Sequence, residues 1–251
     1  MQRVVLLGAS NLTLSFALVV DTLRNNLDAP LEIWAAHGHG RSYGTWSRVL
    51  GRSLPGISNC RLWNDLEQQP IADRTTALLT DIGNDLLYGA SVSQIIGWVR
   101  QCLEKLSSYQ AQTVMTALPM DSIRRLSRAR YNAARSLFFP SSGVSYADMM
   151  DRVQELNEAV AGTAEQFNAT YIEPLGEWYG FDPIHVVRRH RAAAWSRYVG
   201  SWFPNNHKLA IAKPSLRRKL ELWRIRPAER FRFGMKQTAV QPDGQSQVWL
   251  Y

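Results

Sequence analysis

Ser10 follows the run Val4-Val5-Leu6-Leu7-Gly8-Ala9, where apolar residues give way to a small residue, one hydroxyl and the start of a helical pattern. A hydroxyl is a weak nucleophile until a base takes its proton, so the chemistry depends on which polar groups join it. Three clusters follow in chain order. His37-Gly38-His39-Gly40-Arg41 is a turn in which missing side chains let backbone N–H groups approach a ligand. Asp81-Ile82-Gly83-Asn84-Asp85 places a side-chain amide after another apolar run, and Asp182-Pro183-Ile184-His185 sets a carboxylate and an imidazole three residues apart. If the chain turns helically there, both face the same way. Acyl transfer from an ester needs a nucleophile, a base, a group that orients the base, and donors for the oxyanion. Ser10, His185 and Asp182 fit the first three roles, and the N–H groups of Ser10 and Gly40 with the side-chain amide of Asn84 fit the last. Such donors are each worth about 3 kcal/mol in the transition state.

These groups act together only if the fold gathers them. Apolar runs bounded by turn residues predict strands at 3–7, 31–36, 76–81, 112–117 and 169–173. Helical spacing predicts helices around 16–23, 92–106, 146–167 and 186–199. Strands alternating with helices imply a three-layer α/β/α fold with a mainly parallel, five-stranded sheet covered on both faces. In such sheets ligands bind beyond the carboxyl ends of the strands, and all four clusters fall there. The Arg- and Ser-rich segment 120–144 is longer than an ordinary connection and is a candidate cap over a pocket. The tail Val248-Trp249-Leu250-Tyr251 reads either as a folded-back edge strand or as a trailing end.

The composition limits the class. A chain of 251 residues that is 45% apolar can bury one sizeable core and is not a disordered protein. Cys60 and Cys102 lack metal-ligand spacing and read as buried free thiols. No apolar run reaches the roughly 20 residues that span a bilayer, and nothing resembles a secretion signal, so a cytoplasmic protein is expected. Residues 186–236 hold fourteen Lys or Arg against two Glu, a net +12 in a chain of net +8. That segment could bind nucleic acid, an anionic membrane surface or an acidic protein, or could be a solvated surface whose Arg stems cover Trp and Phe rings.

The four clusters, Gly8-Ala9-Ser10-Asn11-Leu12-Thr13, Gly40, Gly83-Asn84-Asp85 and Asp182-Pro183-Ile184-His185, resemble the four blocks of the SGNH (GDSL-like) hydrolases, over about residues 3 to 200. The resemblance implies a flavodoxin-like fold and hydrolysis of a small acyl ester, often acetyl, without metal or cofactor. It assigns Ser10 as nucleophile, His185 as base, Asp182 as its orienter, and Gly40 and Asn84 as oxyanion donors. From Pro204 onward the sheet-and-helix alternation fades, so the chain divides into a hydrolase-type domain over 1–203 and a basic extension over 204–251 that packs on it or trails from it. Two positions depart from the family pattern. Ala9 stands where an Asp usually precedes the serine, and Arg41 stands where a polar residue, often Asp, follows the glycine. Arg41 is therefore expected to carry positive charge to an anionic substrate, with Asn11 as a second substrate contact.

Each cluster also has a plainer reading. Ser10 could be only a helix N-cap, although no Glu or Gln at 13 completes a capping box. Asn84 could be a turn residue and Asp85 the cap of the next helix. His185 and Asp182 could be surface groups at a helix start. His37, His39 and Asp81 form a weak metal-ligand pattern. On the same fold, a catalytically silent protein binding an anionic ligand or partner is the alternative to an esterase.

Overall fold

The computed structural model describes residues 1–49, 51–132, 144–204, 207–227, 229–240 and 247–251. The expected strands form as β1 (Gln2–Leu7), β2 (Leu31–Ala36), β5 (Arg74–Leu79), β6 (Gln112–Thr116) and β7 (Thr170–Ile172), with β3 (Ser47–Val49) and β4 (Arg52–Leu54) between the second and third of them. Two short strands, β8 (Phe231–Arg232) and β9 (Met235–Lys236), and β10 (Gln247–Leu250) complete the described set. The main sheet has the order β10-β2-β1-β5-β6-β7, and each of its pairings is parallel.

The sheet therefore has six strands, not five. The extra one is the tail: Trp249 lies in register with Trp34, and the Tyr251 N–H continues the ladder to Ala35 O at 3.0 Å. Trp34 stacks on Trp249 and Tyr251, with ring centroids 4.7 and 5.7 Å away. Such aromatic pairs add about 1 kcal/mol each beyond burial, enough to favour docking of a four-residue strand over a trailing end. Behind them, Arg3 and Glu32 form a buried pair at 2.9 Å, and Glu32 also accepts the Trp34 indole N–H.

Alternation along β1 divides the core. Val5 and Leu7 face the helices Val92–Ser108 and Tyr146–Gln166 through Ile95, Val99, Cys102, Leu156 and Val160. Val4 and Leu6 face α1 (Ser10–Asn26) and the helix Arg191–Gly200 through Leu12, Phe16, Val19, Trp195 and Tyr198. Each layer buries its apolar stripe on the sheet, which is the three-layer arrangement expected. Ser91 and Gln94 form a reciprocal capping box at the start of Val92–Ser108, so that helix is capped by Ser91 and not by Asp85. Cys60 and Cys102 are buried and unpaired.

A second, antiparallel sheet, β3-β4-β8-β9, joins the hairpin after the Gly40 turn to two strands from the basic part of the chain. Of the 120–144 segment, Met120–Ile123 is a helical turn and Tyr131 donates its hydroxyl to Val144 O at 2.9 Å. Residues 133–143 lie outside the described ones, and so does the Phe138–Gly143 part of the expected pocket cap. Among the described residues no helix is long and apolar enough to cross a membrane.

Candidate active site

Ser10 is the first residue of α1, directly beyond the carboxyl end of β1. Ala9 occupies the capping position and offers no side-chain acceptor. The cap comes from another strand end: Asp81 accepts the N–H groups of Ala9 (2.8 Å), Asn11 (3.1 Å) and Leu12 (3.4 Å). A carboxylate here satisfies helix donors that would otherwise be orphaned and is favoured by the helix dipole. Asp81 reaches them from a left-handed backbone, φ 60°, which ends β5 at Leu79, two residues before the expected end. The Ser10 N–H is passed over. Among the described residues it has no hydrogen-bond partner, as an oxyanion donor requires.

Gly40 meets Ser10 from the next strand end, its N–H donating to Ser10 Oγ at 3.2 Å. Neither Gly38 nor Gly44 makes that bond. Gly40 has φ +61°, and a Cβ there would lie 2.7 Å from Val49 Cγ2, so only glycine suits the turn. Tyr88 donates its hydroxyl to Gly40 O at 2.7 Å, and the Asn84 amide rests against Arg41 O at 3.5 Å. Asp85, fully buried, accepts the Ser42 hydroxyl and the Tyr43 N–H, the latter at 2.8 Å. Burial, opposed by those two bonds, pushes the Asp85 carboxyl up to about 6.

The Asp182–His185 segment is a tight turn, not the helix expected to begin at Val186; the helix starts at Arg191. Asp182 Oδ1 accepts the N–H groups of Ile184 (3.0 Å) and His185 (3.3 Å), leaving Oδ2 to meet His185 Nδ1 at 2.5 Å. Burial works against protonation of His185, but the hydrogen bond and charge of Asp182, with Asp81 adding to them, raise its pKa above the ordinary value. Burial would raise the Asp182 carboxyl, but its imidazole and backbone partners lower it instead. The pair is joined to the serine through Asn11, whose Nδ2 donates to Asp81 Oδ1 (2.7 Å) and Ile184 O (2.9 Å), and whose Oδ1 accepts the Val186 N–H (2.8 Å). One amide thus grips the chain on both sides of His185 and ties it to the residue after Ser10. Among the described residues Ser10 and His185 share no direct hydrogen bond.

Two sequence expectations change. Asn11 is a clamp, since its polar atoms are engaged by protein groups and not presented to a substrate. Arg41 brings no charge to the site. It is fully buried, and its guanidinium donates to the backbone oxygens of Pro55 (3.1 Å), His37 (3.4 Å) and Tyr251. The left-handed turn at Gly40 sends the next residue inward, where a guanidinium fork can satisfy several carbonyls. His37 and Asp81, considered as metal ligands, have other partners. His37 Nδ1 meets Thr13 Oγ1 at 2.9 Å, its ring packs on Phe16, and burial with nearby Arg41, Arg52 and His39 pushes it down to about 3. The capping role of Asp81 and the support from Tyr88 were not among the sequence expectations. Asp81 was detectable as an acid at the strand end facing an Ala9 that lacks one.

The sheet order, covering helices and convergent strand ends define an SGNH-hydrolase-like fold. Solved structures agree. A carbohydrate acetylesterase family member from Sinorhizobium meliloti is 13% identical over 80% of this chain and 97% of its own, with a TM-score of 0.54. A member of the lipolytic G-D-S-L family from Veillonella parvula is 13% identical over 81% and 98%, TM-score 0.52. The M. smegmatis aryl esterase is 13% identical over 80% and 100%, TM-score 0.51. No protein-family model and no curated protein matches the sequence.

Proposed function

We propose that this chain is a serine esterase of SGNH type that hydrolyses a small acyl ester through an acyl-enzyme. The observation that carries the reading is the Asn11 clamp, which fixes the His185 backbone beside Ser10 while Asp182 holds His185 Nδ1. With Nδ1 so engaged, Nε2 is the nitrogen left for the serine proton. Ser10 Oγ attacks the ester carbonyl as His185 takes its proton, and the oxyanion collects the N–H groups of Ser10 and Gly40 and the Asn84 amide. His185 then protonates the departing alkoxide, leaving the acyl group on Ser10. A water that gives its proton to His185 releases the acid and restores the serine. The named esterase neighbours support an ester substrate and a small acyl group such as acetyl.

A fluorophosphonate probe tests the assignment directly. Wild type is expected to take up one label and to hydrolyse para-nitrophenyl acetate, and Ser10→Ala to do neither while keeping its circular dichroism. A folded wild type that takes no label would sink the esterase reading and leave a silent binder on the same fold.

A further inference from the structure

Arg41 is turned inward, but a second arginine lies on the strand that covers the Gly40 turn. Arg52 lies on β4, and strand geometry fixes the face it occupies. Residues two apart on a strand share a face, and directly opposed residues of an antiparallel pair share one too. Arg52 is therefore on the side of Leu54, its second neighbour, and of Val49 and Arg232, which pair with it across the ladders. That side covers the oxyanion turn: a Cβ on Gly38 would lie 2.5 Å from Leu54 Cδ1, and one on Gly40 would lie 2.7 Å from Val49 Cγ2. Gly40 is the residue whose N–H meets Ser10 Oγ.

This guanidinium is half-buried, and among the described residues it has no hydrogen bond or ion pair. Arg232 faces it across the ladder, and like charges directly opposed are destabilising. Arg230, half-buried like Arg52, adds a third cation beside the exposed Arg232, and among the described residues only its Nε is engaged, by Gln237 Oε1 at 2.7 Å. The nearest acid in sequence, Glu229, is turned away to the Arg61 N–H at 2.7 Å. Burial lowers the pKa of Arg52 and Arg230, and Arg52, Arg226 and Arg232 lower that of Arg230 further. His39 is lowered by burial and then by the charges of Arg52 and His185, against Asp81, which raises it.

Among the described residues no acid neutralises these cations, which lie on the strands that cover the Gly40 turn, and they call for an anion from outside. We infer that Arg52, backed by Arg230 and Arg232, recognises a carboxylate or phosphate on the ester this chain hydrolyses. The inference rests on the esterase reading for the word ester, and on the β4 geometry for the anion. A planar guanidinium suits either oxyacid group through paired N–H bonds.

Matched esters test it in the full chain: para-nitrophenyl hydrogen succinate against para-nitrophenyl acetate for an anion on the acyl side, and para-acetoxybenzoate against phenyl acetate for one on the alcohol side. In wild type the anionic member of at least one pair is expected to have the higher kcat/KM. Arg52→Gln should reduce that ratio by about tenfold or more, the loss of one charge-assisted hydrogen bond, and Arg52→Lys by less. Should Arg52→Gln fail to fold, Arg52→Lys and Arg232→Gln carry the comparison. Stronger competition by inorganic phosphate than by succinate assigns the phosphate, and the reverse assigns the carboxylate. Esters hydrolysed with no anionic preference, or a preference unaltered at Arg52, would overturn the inference and leave the esterase standing. If no ester is hydrolysed, calorimetric titration of succinate and inorganic phosphate decides. Binding lost in Arg52→Gln keeps the anion site without the esterase, and no binding ends the inference.

Discussion

The two sides of Ser10 are built differently. On one side, the Asp182–His185 turn is open to solvent, with side-chain exposures of 52% and 31%, and it is tied to the serine by one half-buried amide. On the other, the Gly40 turn is braced from within by fully buried Asp85 and Tyr43 and by the Tyr88 hydroxyl. The contrast matches the tasks proposed for them. Oxyanion donors stabilise developing charge only if they are already in place when it forms, which favours a rigid turn. A base must exchange protons with the serine, the leaving group and water, which favours an accessible imidazole of tunable pKa.

The largest effect expected is on the open side. Asp182→Asn removes the charge that orients His185 and stabilises its imidazolium, and if the proposed triad works as in known Ser-His-Asp enzymes, kcat should fall by about 10⁴. The pH profile distinguishes this from simple disorder. His185 must be neutral to act as base, so kcat/KM rises with pH through its pKa. Asp182 raises that pKa, so the wild-type midpoint should lie above the ordinary histidine value and the midpoint of Asp182→Asn should lie lower. A midpoint that stays put while activity falls would break the proposed link between the two residues.

The same contrast explains what could be read in advance. The open side depends on local spacing, and Asp182 and His185 stand three residues apart in one turn, so the pair was visible although the turn was not the helix expected. The main strands were visible for the same reason, since a parallel strand buried on both faces leaves an unbroken apolar run. The braced side depends on contacts remote in sequence. Whether Arg41 faces the site or the core follows from a left-handed Gly40 and from Tyr251, 210 residues away. The sixth strand needed the stacking of Trp249 on Trp34, which no window of sequence contains. Arg52 was hidden because its opposing Arg232 arrives from the far end of the chain.

On the braced side the expected signature is in stability, not rate. Burial raises the folded-state carboxyl of Asp85 from 3.8 to about 6. The folded chain therefore binds this proton more tightly than the unfolded chain. The associated stabilisation is complete below the unfolded value and is lost as pH rises through the folded one. The amount at stake is about 3 kcal/mol. Other carboxylates contribute slopes of their own, so the readout is the difference between wild type and Asp85→Asn in urea unfolding at pH 4, 5 and 6. Wild type should lose stability relative to the variant across that window. A constant difference would mean that Asp85 is not a buried, proton-holding brace.

Asn11 joins the two sides, and the smallest expected effect is there. Asn11→Leu keeps the approximate size of the side chain but removes the bonds to Asp81, Ile184 and Val186. At about 1 kcal/mol for a typical bond, a folded variant should survive with a stability loss of about 1–3 kcal/mol. Because the clamp sets where the imidazole stands and touches no substrate, the loss should fall on kcat by about tenfold, with KM little changed. The rate of fluorophosphonate labelling should fall in parallel, since that reaction also needs the base beside Ser10. If stability dropped while kcat and labelling stayed at wild-type values, the amide would be a fastener of the fold, and His185 would owe its place to some other contact.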